Sequence, residues 1–182
     1  MPNTNKYQAY NFGPEDRAVQ AWANFKTDEY VYDLSHLNAC CITYTGKKET
    51  YIVYVTYSHH CFAKDVEGYN DDLPYPYPKD QRNFHNLRFQ LSLNLPEIIE
   101  GLLTAYTYYG GGESYAVCEG ISQNGKAYHY LVAFSVFKSQ KKLRMHITSA
   151  YPLDKRPKVK KVKFETILNN LSKGKPLPKR QA

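Results

Sequence analysis

At 182 residues, with 42% apolar and 23% charged residues, the chain has the composition of one soluble globular domain large enough to bury a sizeable core. Residues 1–10 lack the apolar centre of a signal peptide and no run reaches the length of a membrane helix, so the expected location is the cytoplasm, with no membrane partner. The net charge of +7 is uneven: residues 141–182 hold 13 of the 24 lysines and arginines against two acids, so this end alone carries +11 and the rest is acidic. Such asymmetry points to a basic face or tail that meets a polyanion, most simply RNA or another nucleic acid; a solvated tail that only aids solubility is the plainer reading.

Residues 1–13 read as loose. Gly13-Pro14-Glu15-Asp16 then starts a helix with an acidic first turn and Val19, Trp22, Ala23 and Phe25 turned inward. Residues 39–45 and 51–58, rich in Ile, Val, Thr and Tyr, form a hairpin about Gly46-Lys47-Lys48-Glu49. Residues 64–83 are Asp-, Asn-, Gly- and Pro-rich and read as a long loop; its Tyr-Pro ledge suits base stacking, docking of a protein partner, or simple packing.

Asn94-Leu95-Pro96-Glu97 opens a helix whose buried stripe runs through Leu95, Ile98, Ile99, Leu102, Leu103 and Tyr106, and Gly110-Gly111-Gly112 ends it. A strand over 113–119, an Asn124-Gly125 turn and alternating strands over 127–138 and 141–151 follow. Alternation continues over 158–164 into a short helix with Phe164, Ile167, Leu168 and Leu171 on one side, and Gly174, Pro176 and Pro178 stop regular structure, leaving 173–182 loose and basic. The expected fold is α+β: one domain, an antiparallel β-meander packed against one or two helices, with a basic C-terminal tail and the N-terminal hairpin joining the sheet.

The chemistry concentrates in residues 141–151, KKLRMHITSAY. Alternation sets Leu143, Met145, Ile147 and Tyr151 on one face and Lys142, Arg144, His146 and Thr148 on the other. A cation, an imidazole and a hydroxyl at alternate positions suit metal-independent ribonuclease chemistry, in which acid and base move protons and Arg holds the phosphate. His129 and Ser135 join this set if the neighbouring strand pairs in register; a half-solvated strand with a polar outer face is the bland alternative. No metal site is assigned: His59 or His60, Cys61 and His85 match no common zinc spacing, and Cys40, Cys41, Cys61 and Cys118 form no CxxC. Walker, dinucleotide-binding, HExxH and GxSxG motifs are absent, and no cofactor is implied. Arg88 reads as a phosphate ligand or a surface charge.

Ser58-His59-His60-Cys61-Phe62, RFQLSLNLPEII over 88–99, Ser149-Ala150-Tyr151 and KVKFETIL over 161–168 together resemble an uncharacterised bacterial family of plasmid- and prophage-type genes with S-x-H-C-F, R-x-x-L-S-x-x-L-P-x-I-I, S-A-Y and F-x-x-I-L segments. That resemblance implies membership and no activity. The order of elements over 95–164 is similar to the barnase, EndoU, colicin and RelE group of toxins, which implies metal-free RNA cleavage on the sheet face. The leading expectation is accordingly a toxin-type endoribonuclease or RNA-directed protein with His146, Arg144, Thr148, Tyr151, His59 and Arg88 at its site and Lys142, Lys158, Lys160, Lys161 and Lys163 holding the nucleic acid. The alternative is a non-catalytic nucleic-acid-binding or antitoxin-like module that uses the basic C-terminal region.

Overall fold

In the computed structural model the described residues are 21–65, 74–75, 82–111, 114–158 and 160–178. Alternating burial along β3 (Cys40–Thr45) and β4 (Thr50–Tyr57) closes the expected hairpin, in register from Cys40 opposite Val55 to Thr45 opposite Thr50. A second hairpin series runs β8 (Tyr106–Gly111), β9 (Ser114–Gln123), β10 (Lys126–Ser139) and β11 (Lys142–Leu153), each antiparallel to the next. Asn124 and Gly125, at φ of 52° and 75°, make the left-handed two-residue turn that matches the twist of its flanking strands. Gln140 and Lys141 repeat that backbone at φ of 51° and 63° without a glycine, so the long pairing of β10 with β11 holds them there.

β11 then pairs in parallel with β4, Leu143 to Val53 through Ile147 to Tyr57. The expectation of an all-antiparallel meander is corrected at this one seam. With β12 (Lys161–Lys163) on β8, the seven strands lie in the order β12-β8-β9-β10-β11-β4-β3. Tyr44, Val53, Val55, Val132, Phe134, Val136, Met145 and Ile147 fill one face of this sheet. That face is covered by α1 (Asn86–Ser92), α2 (Leu95–Glu100) and α3 (Phe164–Ser172), which contribute Leu91, Leu95, Ile99, Phe164, Ile167 and Leu168. The buried Tyr44 hydroxyl donates to the Ile99 carbonyl at 2.6 Å, and Phe164 sets its ring edge-on to Tyr44 and Phe134.

Smaller pieces complete the domain: β1 (Phe25–Lys26) with β2 (Val31–Tyr32), and β7 (Arg82–Phe84) between β5 (Ala63–Lys64) and β6 (Pro74–Tyr75). Phe25, Tyr32, Phe62, Tyr75, Phe84 and Phe89 stack with Trp22 into an aromatic cluster continuous with the main core. Tyr75 of the Tyr-Pro ledge is thus packed inward, and the ends of the 64–83 loop belong to a sheet; the rest of that loop lies outside the described residues.

Three further expectations are corrected. Of the N-terminal helix, residues 13–20 lie outside the described residues, while beyond them Ala23 is exposed and Phe25 is already strand. The helix from Asn94 stops at Glu100 and gives way to a tight turn, so Tyr106 and Gly110 belong to β8; six residues of helix suffice to bury Leu95 and Ile99. Residues 173–178 are tied back, with the Lys175 amide on the Asn170 carbonyl at 2.8 Å, the Gly174 amide on that of Leu171, and the Tyr115 hydroxyl on the Pro178 carbonyl at 2.9 Å. The first two bonds, with Gly174 at φ 65°, form the left-handed cap that ends α3. Residues 179–182 lie outside the described residues.

Phe164 touches both halves of the sheet, so Phe164→Ala is expected to lower unfolding free energy by about 3–5 kcal/mol. Urea titration followed by circular dichroism checks it, and a loss below 1 kcal/mol contradicts this view of the core.

Candidate functional site

β11 alternates as its sequence dictates up to Ile147, which leaves Arg144 and His146 on the face away from the helices. Their cross-strand partners are fixed by register. His146 lies between Ser135 of β10 and Thr56 of β4, and Arg144 between Phe137 and Tyr54. Ser114 of β9 pairs with Ser135, so a row Ser114, Ser135, His146, Thr56 crosses four strands, about 14 Å at ordinary strand spacing.

Two bonds organise the row. Thr56 Oγ1 lies 2.9 Å from His146 Nδ1, and Ser114 Oγ lies 3.5 Å from Ser135 Oγ. Thr56 is buried and holds the ring from below, which leaves Nε2 as the nitrogen with no hydrogen-bond partner among the described residues. Burial lowers the His146 pKa from its usual 6.5, and the neighbouring His60 lowers it further, so the ring is neutral at pH 7.

Cations and aromatic rings surround this neutral row. Lys142 Nζ sits 5.2 Å from the centre of the Tyr54 ring, and Lys161 Nζ 4.9 Å from that of Tyr106. Pairing of Lys163 with Tyr106 and Lys161 with Tyr108, and of Tyr108 through Ala116 and Ala133 to Ser149, puts both lysines on the same face as His146. Tyr106, Ile52 and Phe137 are exposed there, at 56%, 52% and 36%, while Arg144 is buried among its neighbours.

The remaining expected site residues are placed differently. Between Ala133 and Phe134 the register slips, and Thr148 becomes the extra residue of a bulge, its hydroxyl donating to the Ala133 carbonyl at 3.2 Å. The slip reverses the phase of the strand, so Ala150 enters the core and Tyr151 moves to the face of His146, correcting the expected core position of Tyr151. Arg88 stacks over the Tyr151 ring at 5.4 Å and donates through Nη1 to the carbonyls of His60 and Ala63 at 3.1 and 2.8 Å. It clamps the single helical turn His59–Cys61 against α1. His59 is buried in that turn, and Ser58 extends the β11 ladder by donating its amide to the Ile147 carbonyl at 2.9 Å.

His129 shares the face yet pairs with Leu153, six positions along β10 from Ser135, so it stands about 20 Å from His146 and does not join its site. Lys158 and Lys160 are exposed on the connection to β12, where Arg156 donates to the Cys118 carbonyl at 2.6 Å. Near Cys61, His85 Nδ1 accepts the Arg88 amide at the start of α1, and burial raises the Cys61 thiol to about 12. Among the described residues no three His, Cys, Asp or Glu side chains are grouped to hold a metal. No described helix is long and apolar enough to cross a membrane.

Sequence reasoning missed Thr56, Ser114 and Tyr54, and weighed His60 only as a metal ligand. The alternation of β4 places Tyr54 and Thr56 off the core, but which strand lies beside them is set by the parallel seam. It also missed His36, whose Nε2 is 2.8 Å from the buried Ser92 hydroxyl beside a cavity of about 360 Å3 walled by Ala39, Cys40, Tyr57 and Pro96. Burial lowers the His36 pKa and raises the Cys40 thiol to about 12, so neither is charged at neutral pH.

Comparison with known proteins adds the family. The model of the YjaZ family matches residues 24–172, which include every segment of the resemblance. Protein YjaZ of Escherichia coli (strain K12) is 39% identical over 171 residues, covering 88% of this chain and 96% of that protein. No solved structure matches, so the similarity in element order to the barnase, EndoU, colicin and RelE group has no structural alignment behind it.

Because the folded His146 pKa lies below 6.5, the unfolded chain binds the extra proton first, and folding stability present above pH 6.5 is lost as pH falls through the folded value. The expected result is an NMR titration midpoint for His146 below 6.5 and, for His146→Gln, a weaker loss of melting temperature between pH 7 and 5. His36 keeps its own share of that slope. An unshifted titration contradicts the buried, Thr56-bound ring.

Proposed function

The chain belongs to the YjaZ family, and from the geometry above we propose that it binds single-stranded nucleic acid across the face of its sheet that turns away from α1, α2 and α3. The observation that carries this reading is the convergence on one face of Lys142, Lys161 and Lys163 with Tyr54, Tyr106 and Phe137. Lysines neutralise phosphates whatever the sequence, and aromatic faces stack bases whatever their identity. A sheet spreads both at spacings that a flexible single strand can follow, whereas the edges of duplex bases are not presented to such a surface. Of the basic C-terminal end, β12 brings Lys161 and Lys163 to this face, whereas Lys173 pairs with Glu49.

A second reading, favoured by one observation, is RNA cleavage of the toxin type. His146 is neutral, oriented by Thr56, and keeps Nε2 available for proton transfer. Arg144 shares the face but is buried and does not reach a phosphate, while Arg88, Thr148 and Tyr151 act in the scaffold that holds the strand and His59 is buried in the adjoining turn.

Fluorescence anisotropy of a labelled uridine decamer against salt tests the first reading. Binding is expected to weaken with salt, and Lys161→Ala with Lys163→Ala to reduce the slope of log K against log salt by about 1.4. No binding at low salt overturns it. Incubation with total cellular RNA in EDTA, beside His146→Ala, tests the second: fragments that form with the unaltered chain and vanish in the variant support cleavage, and intact RNA rejects it.

A further inference from the structure

We propose that the row Ser114, Ser135, His146 and Thr56 selects RNA over DNA by hydrogen bonding to ribose 2′-hydroxyls, an inference that rests on the nucleic-acid reading of this face. The row differs in kind from what flanks it. Lys142 and Tyr54 lie on one side and Lys161 and Tyr106 on the other, charges and rings that grip backbone and bases without regard to the sugar. The row between them holds three hydroxyls and an imidazole that burial keeps neutral. Neutral groups draw in no phosphate; they discriminate by whether their hydrogen bonds are met.

A 2′-hydroxyl both donates and accepts, and the row offers matching atoms. Ser135 presents an Oγ whose 3.5 Å contact with Ser114 is long enough to yield to a better partner. His146 presents Nε2, a donor or an acceptor according to which proton Thr56 shares with Nδ1. Both residues are half-buried, so a strand pressed on the face by its phosphates and bases dries them. A deoxyribose there would leave Nε2 with no partner and Ser135 with only its long contact to Ser114, and sites built to bond a hydroxyl reject analogues that lack it.

The experiment compares uridine and deoxyuridine decamers of equal length by anisotropy at one salt concentration, with the unaltered chain, Ser135→Ala and His146→Phe. One good hydrogen bond corresponds to a preference of about tenfold for the ribose strand, and each variant is expected to bring the ratio towards one. Ser135→Ala removes a half-exposed hydroxyl and keeps the test interpretable if His146→Phe folds poorly. Equal, measurable affinities for the two decamers in the unaltered chain overturn the selector and leave nucleic-acid binding standing. A preference that survives both substitutions overturns its assignment to this row. Binding of neither decamer removes the underlying reading, and the selector with it.

Discussion

The parallel pairing of β4 with β11 is the contact on which this molecule depends. Without it there are two separate antiparallel pieces, a hairpin and a meander, each with an open edge. With it, seven strands form one sheet, its core face is wide enough for α1, α2 and α3, and Thr56 arrives beside His146 from 90 residues away. The same seam runs on through Ser58, so the turn His59–Cys61 is seated at the end of β4 against the middle of β11, and His60 lies close enough to influence the His146 ring. Arg88 secures that turn from the other side by donating twice through Nη1, to the carbonyls of His60 and Ala63.

The bulge at Thr148 is the second determinant. A strand with perfect period two would have kept Tyr151 in the core and turned Ala150 outward. One extra residue reverses this, which fits a small side chain into the core and gives Arg88 an aromatic ring to lie against. Both halves of the strand therefore serve one surface, though they are in opposite phase along the sequence.

Local signals in the sequence were reliable. Tyr130, Val132, Phe134 and Val136 alternate and are buried, Asn124-Gly125 turns, Gly174 caps, and Leu143, Met145 and Ile147 point to the core with Arg144 and His146 opposite. What could not be read depends on distant partners. Strand pairing is not written in alternation, so the parallel seam and the row it completes were hidden, and the likeness to a four-stranded meander concealed them further. A bulge leaves no compositional mark when its residue is an ordinary threonine. The helix after Asn94 has helical spacing well beyond Glu100, but Tyr106 and Thr107 are claimed by the sheet, where Thr107 bonds the Val162 carbonyl at 2.7 Å. Register sets His129, chosen by type, apart from His146, and Arg88 commits Nη1 to the carbonyls of His60 and Ala63, arrangements that only the fold supplies.

The long reach of the β4 and β11 pairing also has a temporal side. β4 leaves the ribosome with β3 on one edge and nothing on the other, and its partner is made 90 residues later. At ordinary rates of synthesis that interval is about 5–18 s. Throughout it, a strand rich in Tyr, Val and Ile offers an unpaired edge, the feature most prone to adventitious pairing between chains. The domain is thus most vulnerable during its own manufacture, and conditions that slow translation or raise temperature would burden the cell's chaperones before they affected the finished fold.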